Sequence, residues 1–247
     1  MALDLANFEA QLQEAVRTFW RVRRMSKEKN SGGQRSDAGA RGAVTSGKHL
    51  DGFMNLIRAV VVANGLDEAD VMTRGCSLPG FFRATKDWDV LVVHKGVLVA
   101  AIELKSQVGS VGNNLNNRAE EVLGSATDLW IAYREGAFNE GQKPNVDTAR
   151  PFLGWLMIFA APEDLADHVR GKKTVFPIFE EFEKTTYQRR YELLCEKLIS
   201  ERLYDAAALL VTPTSAEATG EYQEIGVRLF VAALAAHVAE VAVLTEG

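Results

Sequence analysis

Cysteine is almost missing from this chain. Cys76 and Cys195 stand alone in unrelated contexts, which argues against a disulfide scaffold and suits a reduced, cytoplasmic setting. Histidine is scarce too: His49, His94, His168 and His237 are far apart in sequence, and without a cysteine cluster beside them a zinc site is not expected. No run of about 18 apolar residues is seen, so no membrane span is expected. The opening Met1-Ala2-Leu3-Asp4-Leu5-Ala6 has neither a basic nor an apolar segment of the secretory kind. An excess of positive charge is also lacking. The net charge of −5 speaks against a generally basic, nucleic-acid-coating surface.

Charge placement says more than the sum. Arg17, Arg21, Arg23, Arg24, Lys27, Lys29, Arg35, Arg41 and Lys48 are opposed within their stretch only by Glu28 and Asp37. That segment carries +7 and the remainder −12. One basic arm on an acidic body suits a clamp on phosphate, and it equally describes a solvated loop.

Helical spacing of Phe8, Leu12, Ala15, Val16, Phe19 and Val22 predicts a helix over residues 5–24. A Gly/Ser/Arg/Lys loop over 26–47 follows, then a second helix over 50–64 closed by Gly65. A short strand is expected near 71–73. Residues 88–104 are the clearest piece: two β-rich apolar runs around His94-Lys95-Gly96 predict a hairpin buried on both faces, polar only at its far ends. The Gly/Ser/Asn-rich stretch 106–117 reads as a loop, with a helix over 117–133. A buried strand is expected at 152–160 and a helix at 187–203. Residues 206–247 read as a C-terminal helical extension suited to the core or to dimerisation, set apart from a main domain at 1–205 that includes the basic loop. The fold class is α/β, a mixed central β-sheet flanked by helices.

Chemistry concentrates at the hairpin ends. Glu103 and Lys105 share one strand face because side chains alternate. A three-residue turn pairs Val93 with Val97 and sets Asp89 diagonal to Glu103 on that same face, about 7–8 Å away. Two carboxylates at that separation are hard oxygen ligands for one magnesium ion. The Lys105 ammonium would then meet phosphoryl oxygens or steer the attacking water. A two-residue turn would point the acids to opposite faces. The E-x-K triplet alone is weak, since 33 acids and 11 lysines give one or two [DE]-x-K matches by chance and the chain holds one. Its position at the end of a buried strand adds the weight, because burying these charges idly is costly.

The wider text resembles the XhoI family of restriction endonucleases within the PD-(D/E)xK nuclease superfamily. The resemblance is carried by Met1-Ala2-Leu3-Asp4-Leu5, Asp51-Gly52-Phe53, Leu78-Pro79-Gly80-Phe81-Phe82-Arg83, Thr85-Lys86, Trp88-Asp89-Val90-Leu91-Val92, Ala101-Ile102-Glu103-Leu104-Lys105-Ser106 and Gly112-Asn113-Asn114-Leu115-Asn116-Asn117-Arg118-Ala119-Glu120-Glu121. It implies a restriction-endonuclease-like core and a homodimeric, Mg2+-dependent type II enzyme. It also implies cutting of double-stranded DNA within the palindrome CTCGAG, after the first C, to leave 5′ overhangs, with a cognate DNA methyltransferase acting on the same site. Trp88 stands where the general motif has proline, Ala84 where the family is expected to have proline, and Leu115 where phenylalanine is expected. These departures leave room for an extended or degenerate site.

Asp89, Glu103 and Lys105 are thus the expected catalytic set, with Asp89 and Glu103 as metal ligands. Asn113, Asn114, Asn116 and Asn117 suit adenine edges, and they equally suit helix caps and turns. Arg118, Arg35, Arg41 and Lys48 are expected on phosphates or guanine edges. Glu121 and Asp51 are accessory acids, or else a salt-bridge partner and a helix cap. Two rival functions share the core: a structure-specific junction or repair nuclease, and a DNA-binding protein without catalysis. The Asn-rich block weighs against the first and the intact Asp89, Glu103 and Lys105 against the second.

Overall fold

The computed structural model describes residues 3–31, 48–109, 111–138, 150–160 and 173–245. Its spine is a six-stranded mixed sheet. In chain order the elements are α1 (Phe8–Ser31), α2 (Asp51–Ala63), β1 (Val71–Met72), β2 (Ser77–Pro79), β3 (Thr85–Asp87), β4 (Val90–His94), β5 (Val97–Gln107), α3 (Val111–Arg134), β6 (Phe152–Ala160), α4 (Tyr187–Ser200), β7 (Ala206–Thr212), α5 (Ala216–Thr219), β8 (Gln223–Ile225) and α6 (Val227–Thr245). The sheet order is β1-β4-β5-β6-β7-β8, and β2 and β3 form a separate two-stranded sheet. β5, β6 and β7 run parallel, while the outer pairings are antiparallel.

The α/β class expected from the sequence is what forms. β6 and β7 are buried at every residue, as unbroken apolar runs require when helices cover both faces. One face packs Val90, Val92, Ile102 and Leu104 against α1, α2 and α6 through Phe19, Phe53, Phe230 and Leu234. The other packs Leu91, Ala101, Trp155 and Met157 against α3 and α4 through Val122, Trp130, Tyr191 and Leu198. Hydrogen bonds tie distant parts of the chain: Trp20 Nε1 donates to Thr212 Oγ1 at 3.1 Å and Trp130 Nε1 to the Leu203 carbonyl at 2.7 Å.

Three expectations change. First, the region after residue 205 opens on β7, which pairs along its whole length with β6, so 206–247 is part of the one core and not a helical extension. An apolar run without alternation fits strand or helix alike until its neighbour is known. Second, α6 is long and apolar enough to span a membrane by length and composition, where none was expected. It instead buries Val227, Phe230, Leu234, Val238 and Val241 against the sheet, leaving Leu229, Val243 and Leu244 exposed. Third, α3 begins at Val111, so the asparagine block lies on its first turns and not in a loop.

Candidate active site

The β4–β5 hairpin reaches the expected result by an unexpected register. Its turn has two residues, Lys95 and Gly96, both at positive φ (49° and 80°), the mirror-image turn that matches strand twist. His94 pairs with Val97 and Val93 with Leu98, but Val92 then pairs with Ala100. Val99 is the extra residue of a β-bulge. Its carbonyl accepts a hydrogen bond from His237 Nε2 of α6 at 3.0 Å. Beyond the bulge Val90 pairs with Ile102, and one step further the same register sets Asp89 opposite Glu103. The two-residue turn alone would have separated the acids; the bulge returns them to one face, directly opposed instead of diagonal.

Asp89 Oδ2 accepts the backbone N–H of Leu104 at 2.8 Å, which fastens the end of β4 to β5. Burial pushes its carboxyl above the ordinary aspartate value; the Leu104 N–H and Lys105 pull against this, and Glu103 adds to it. Glu103 is 4% exposed. Its Oε1 is shared by Lys105 Nζ at 2.7 Å and Lys86 Nζ at 3.2 Å, whereas Oε2 is buried without a protein partner. Burial is the strongest single influence and would raise its pKa, but Lys105 and Lys86 together hold it below the usual glutamate value. The two adjacent acids are thus driven in opposite directions.

A buried carboxylate oxygen without a donor, on a residue that the register sets opposite a second acid, is a suitable donor set for a hard divalent cation. Asp89 and Glu103 would hold it. Among the described residues no group of three or more His, Cys, Asp or Glu is gathered to hold a metal ion, so neither Asp51 nor Glu121 joins them as a third protein acid. Glu121 is ion-paired with Arg118 one helical turn away. Asp51 is the first residue of α2 and lines a surface groove of about 490 Å³ with Arg58, Thr73 and Arg74.

Leu115 of the asparagine block is buried, Asn114 half-buried, and Asn116 and Asn117 exposed. Arg118 Nε and the Tyr191 hydroxyl are both buried without partners at the seam of α3 and α4. Burial pushes the Tyr191 phenol up to about 12, with Arg118 pulling it down. Lys48 is exposed on a short helical turn, Lys48–Leu50. That turn is tied to the sheet by His49 Nε2 and Ser106 Oγ at 3.0 Å, one residue past Lys105. Burial and the charge of Arg23 lower His49 to about 4, so it is neutral. Arg35, Arg41 and the side chain of Asn113 lie outside the described residues.

Lys86 is the site residue that motif reasoning missed. It comes from β3, and its ammonium also lies 4.3 Å from the centroid of the Trp88 ring. The β2–β3 hairpin that carries it is fixed by Asp128 of α3. Asp128 accepts from the Phe81 N–H at 2.8 Å, the Phe82 N–H at 2.7 Å and Arg83 Nε at 2.8 Å. Gly80 is needed there, because a Cβ would come within 2.4 Å of Asp128 Oδ2. The signal in the sequence was Thr85-Lys86 lying just ahead of Trp88-Asp89, without any periodicity to place it.

The family described as "Restriction endonuclease XhoI" matches residues 27–224. The type II restriction enzyme XhoI of Xanthomonas vasicola is 44% identical over 203 residues, 81% of this chain and 78% of that protein. The type II restriction enzyme BstVI of Geobacillus stearothermophilus is 42% identical over 219 residues, 84% of this chain and 95% of that protein. The type II restriction enzyme AbrI of Azospirillum brasilense is 48% identical over 184 residues, 70% of this chain and 79% of that protein. No solved structure matches. Similar to three type II restriction enzymes over most of its length, and matched by the family across its central sheet, the chain belongs to the restriction endonuclease XhoI family.

Proposed function

We propose that this restriction endonuclease cuts both strands of DNA at a palindrome, CTCGAG or an extended or degenerate variant, leaving 5′ overhangs with Mg2+ as cofactor. The observation that carries the reading is the opposed pair Asp89 and Glu103, whose buried Oε2 lacks a protein partner, with Lys105 2.7 Å from the other oxygen. Asp89 and Glu103 would hold the magnesium, which would supply positive charge against the phosphoryl oxygens and a lowered pKa to a bound water. Asp89 is oriented by the Leu104 N–H, and Lys105 is held by Glu103 at the strand end, where its ammonium would stabilise phosphoryl oxygens.

Asn114, Asn116 and Asn117, at the start of the helix that follows β5, are proposed to read base edges, with Arg118 and Lys48 on phosphate or guanine. A two-fold dimer gives each subunit one half-site and one strand to cut, and a methyltransferase of the same specificity would shield host DNA.

The test is digestion of methylated and unmethylated plasmid with Mg2+ or with EDTA, followed by sequencing of the ends. Defined ends at one palindrome, only with the metal and only in unmethylated DNA, are expected. Cutting governed by DNA structure with no preferred sequence, or intact DNA from folded protein, would reject the reading. Asp89→Ala and Glu103→Ala should lose cleavage and still bind DNA; cleavage by either would remove the metal assignment.

A further inference from the structure

A second ammonium stands in the site that the cleavage chemistry above does not use. Lys86 Nζ is 3.2 Å from Glu103 Oε1, and its side chain is only 10% exposed. Lys105 already holds that same oxygen. Burying another ammonium carries a desolvation cost that needs a reason. The charge balance supplies one: Asp89 and Glu103 are matched by Lys86 and Lys105, so the centre is neutral without any added cation.

The two lysines are anchored differently. Lys105 extends from an 11-residue strand in the middle of the sheet. Lys86 extends from a three-residue strand of the separate two-stranded sheet, held at its tip by the ion pair, by the Trp88 ring and by a 3.2 Å hydrogen bond donated to the Asp87 carbonyl. A lysine ammonium sits on a flexible four-carbon stem, so turning its side-chain torsions can re-aim the tip while the hairpin stays clamped by Asp128. Once a divalent cation lies between the carboxylates, an ammonium there is repelled, and an entering duplex offers phosphate as a new partner.

We propose that Lys86 is a stand-in counter-ion: in DNA-free protein it occupies Glu103 and opposes divalent-cation entry, and on DNA binding it turns to a phosphate, so that the metal loads only with substrate. Lys86 is thereby a positioning residue that couples cofactor binding to DNA. The inference rests on the metal-dependent reading above.

The test is calcium binding to the full chain by titration calorimetry, with and without a duplex carrying the mapped site. The variants are Lys86→Met, Lys86→Gln and Lys86→Arg, beside Asp89→Ala and Glu103→Ala. Deleting a positive charge at this distance from the ligand carboxylate should tighten calcium binding without DNA by about tenfold or more in Lys86→Met and Lys86→Gln. Lys86→Arg should stay close to wild type. With duplex present, wild type should approach the neutral variants. A merely structural Lys86 would lower thermal stability without tightening calcium, and folded neutral variants that bind calcium no better than wild type overturn the inference. If calcium binding still requires Asp89 and Glu103, the cleavage reading survives that result. If no variant and no wild-type sample binds calcium and Asp89→Ala still cuts DNA, the metal reading falls and the inference with it.

Discussion

Exchanging each carboxylate of the pair for its amide, in metal-free buffer, should affect stability in opposite ways. Glu103→Gln leaves two ammoniums, 10% and 27% exposed, without their anion. Breaking a fully buried pair costs about 3–5 kcal/mol. Lys105 is partly solvated, so the lower end, about 3 kcal/mol, is expected. For a chain of this size that lowers Tm by roughly 6–12 °C. Asp89→Asn keeps an oxygen for the Leu104 N–H and removes a charge that burial disfavours. Because the folded pKa of Asp89 is raised, its ionisation weighs against folding, and stability falls as pH rises from the ordinary aspartate range through the raised value. Asp89→Asn should therefore melt at or above the wild-type temperature at neutral pH, with the difference closing in acid. Glu103 has a lowered folded pKa, so its contribution is full above the ordinary glutamate range and lost as pH falls through the lower value. The Glu103→Gln deficit should shrink accordingly. Calorimetric melts in EDTA from acid to neutral pH decide the matter. Equal losses in both variants, or no loss in Glu103→Gln, would refute the electrostatic account of the pair.

Asp128→Ala removes the acceptor of two backbone N–H groups and one guanidinium; the exposed Arg83 can turn to water, so two charge-assisted bonds of about 1.5–3 kcal/mol each put the cost at about 3–6 kcal/mol. Limited proteolysis should then nick residues 79–83, and a loop as resistant as wild type would show that the clamp is dispensable. His237→Leu strips the bulge carbonyl of its donor and should cost about 1–3 kcal/mol; the Leu104 amide, which reports the Asp89 contact, should exchange faster with deuterium, and unchanged protection would separate the bulge from the site. Asn114→Ala or Asn117→Ala should each reduce discrimination among single-base variants of the DNA site by about 1–3 kcal/mol, measured as ratios of kcat/KM. Unaltered ratios would assign them to the scaffold.

Much of the site was legible because it is local. Apolar runs on either side of Lys95-Gly96 fixed two strands, and alternation put Glu103 and Lys105 on one face. The register was not legible: its bulge is supported by His237, 138 residues from Val99. Lys86 was hidden because β2 and β3 are three residues each and take their shape from Asp128 on α3. The start of α3 was obscured by Gly109 and the asparagine run, whose turn chemistry favours loops until a buried Leu115 anchors a helix. The strand at 206–212 became recognisable only with β6 beside it, since an unbroken apolar run does not choose its own partner.

The extra residue at Val99 imposes a parity rule on this part of the chain. With the turn and its flanking pairs kept, a lone insertion or deletion within either strand between Asp89 and Glu103 would send one acid into the opposite layer of the molecule. Changes made in twos, or one change balanced by losing or gaining the bulge, would leave both acids on the same side. The two strands can therefore vary in length among working versions of this enzyme only in steps that respect that count, while the turn between them is free of it.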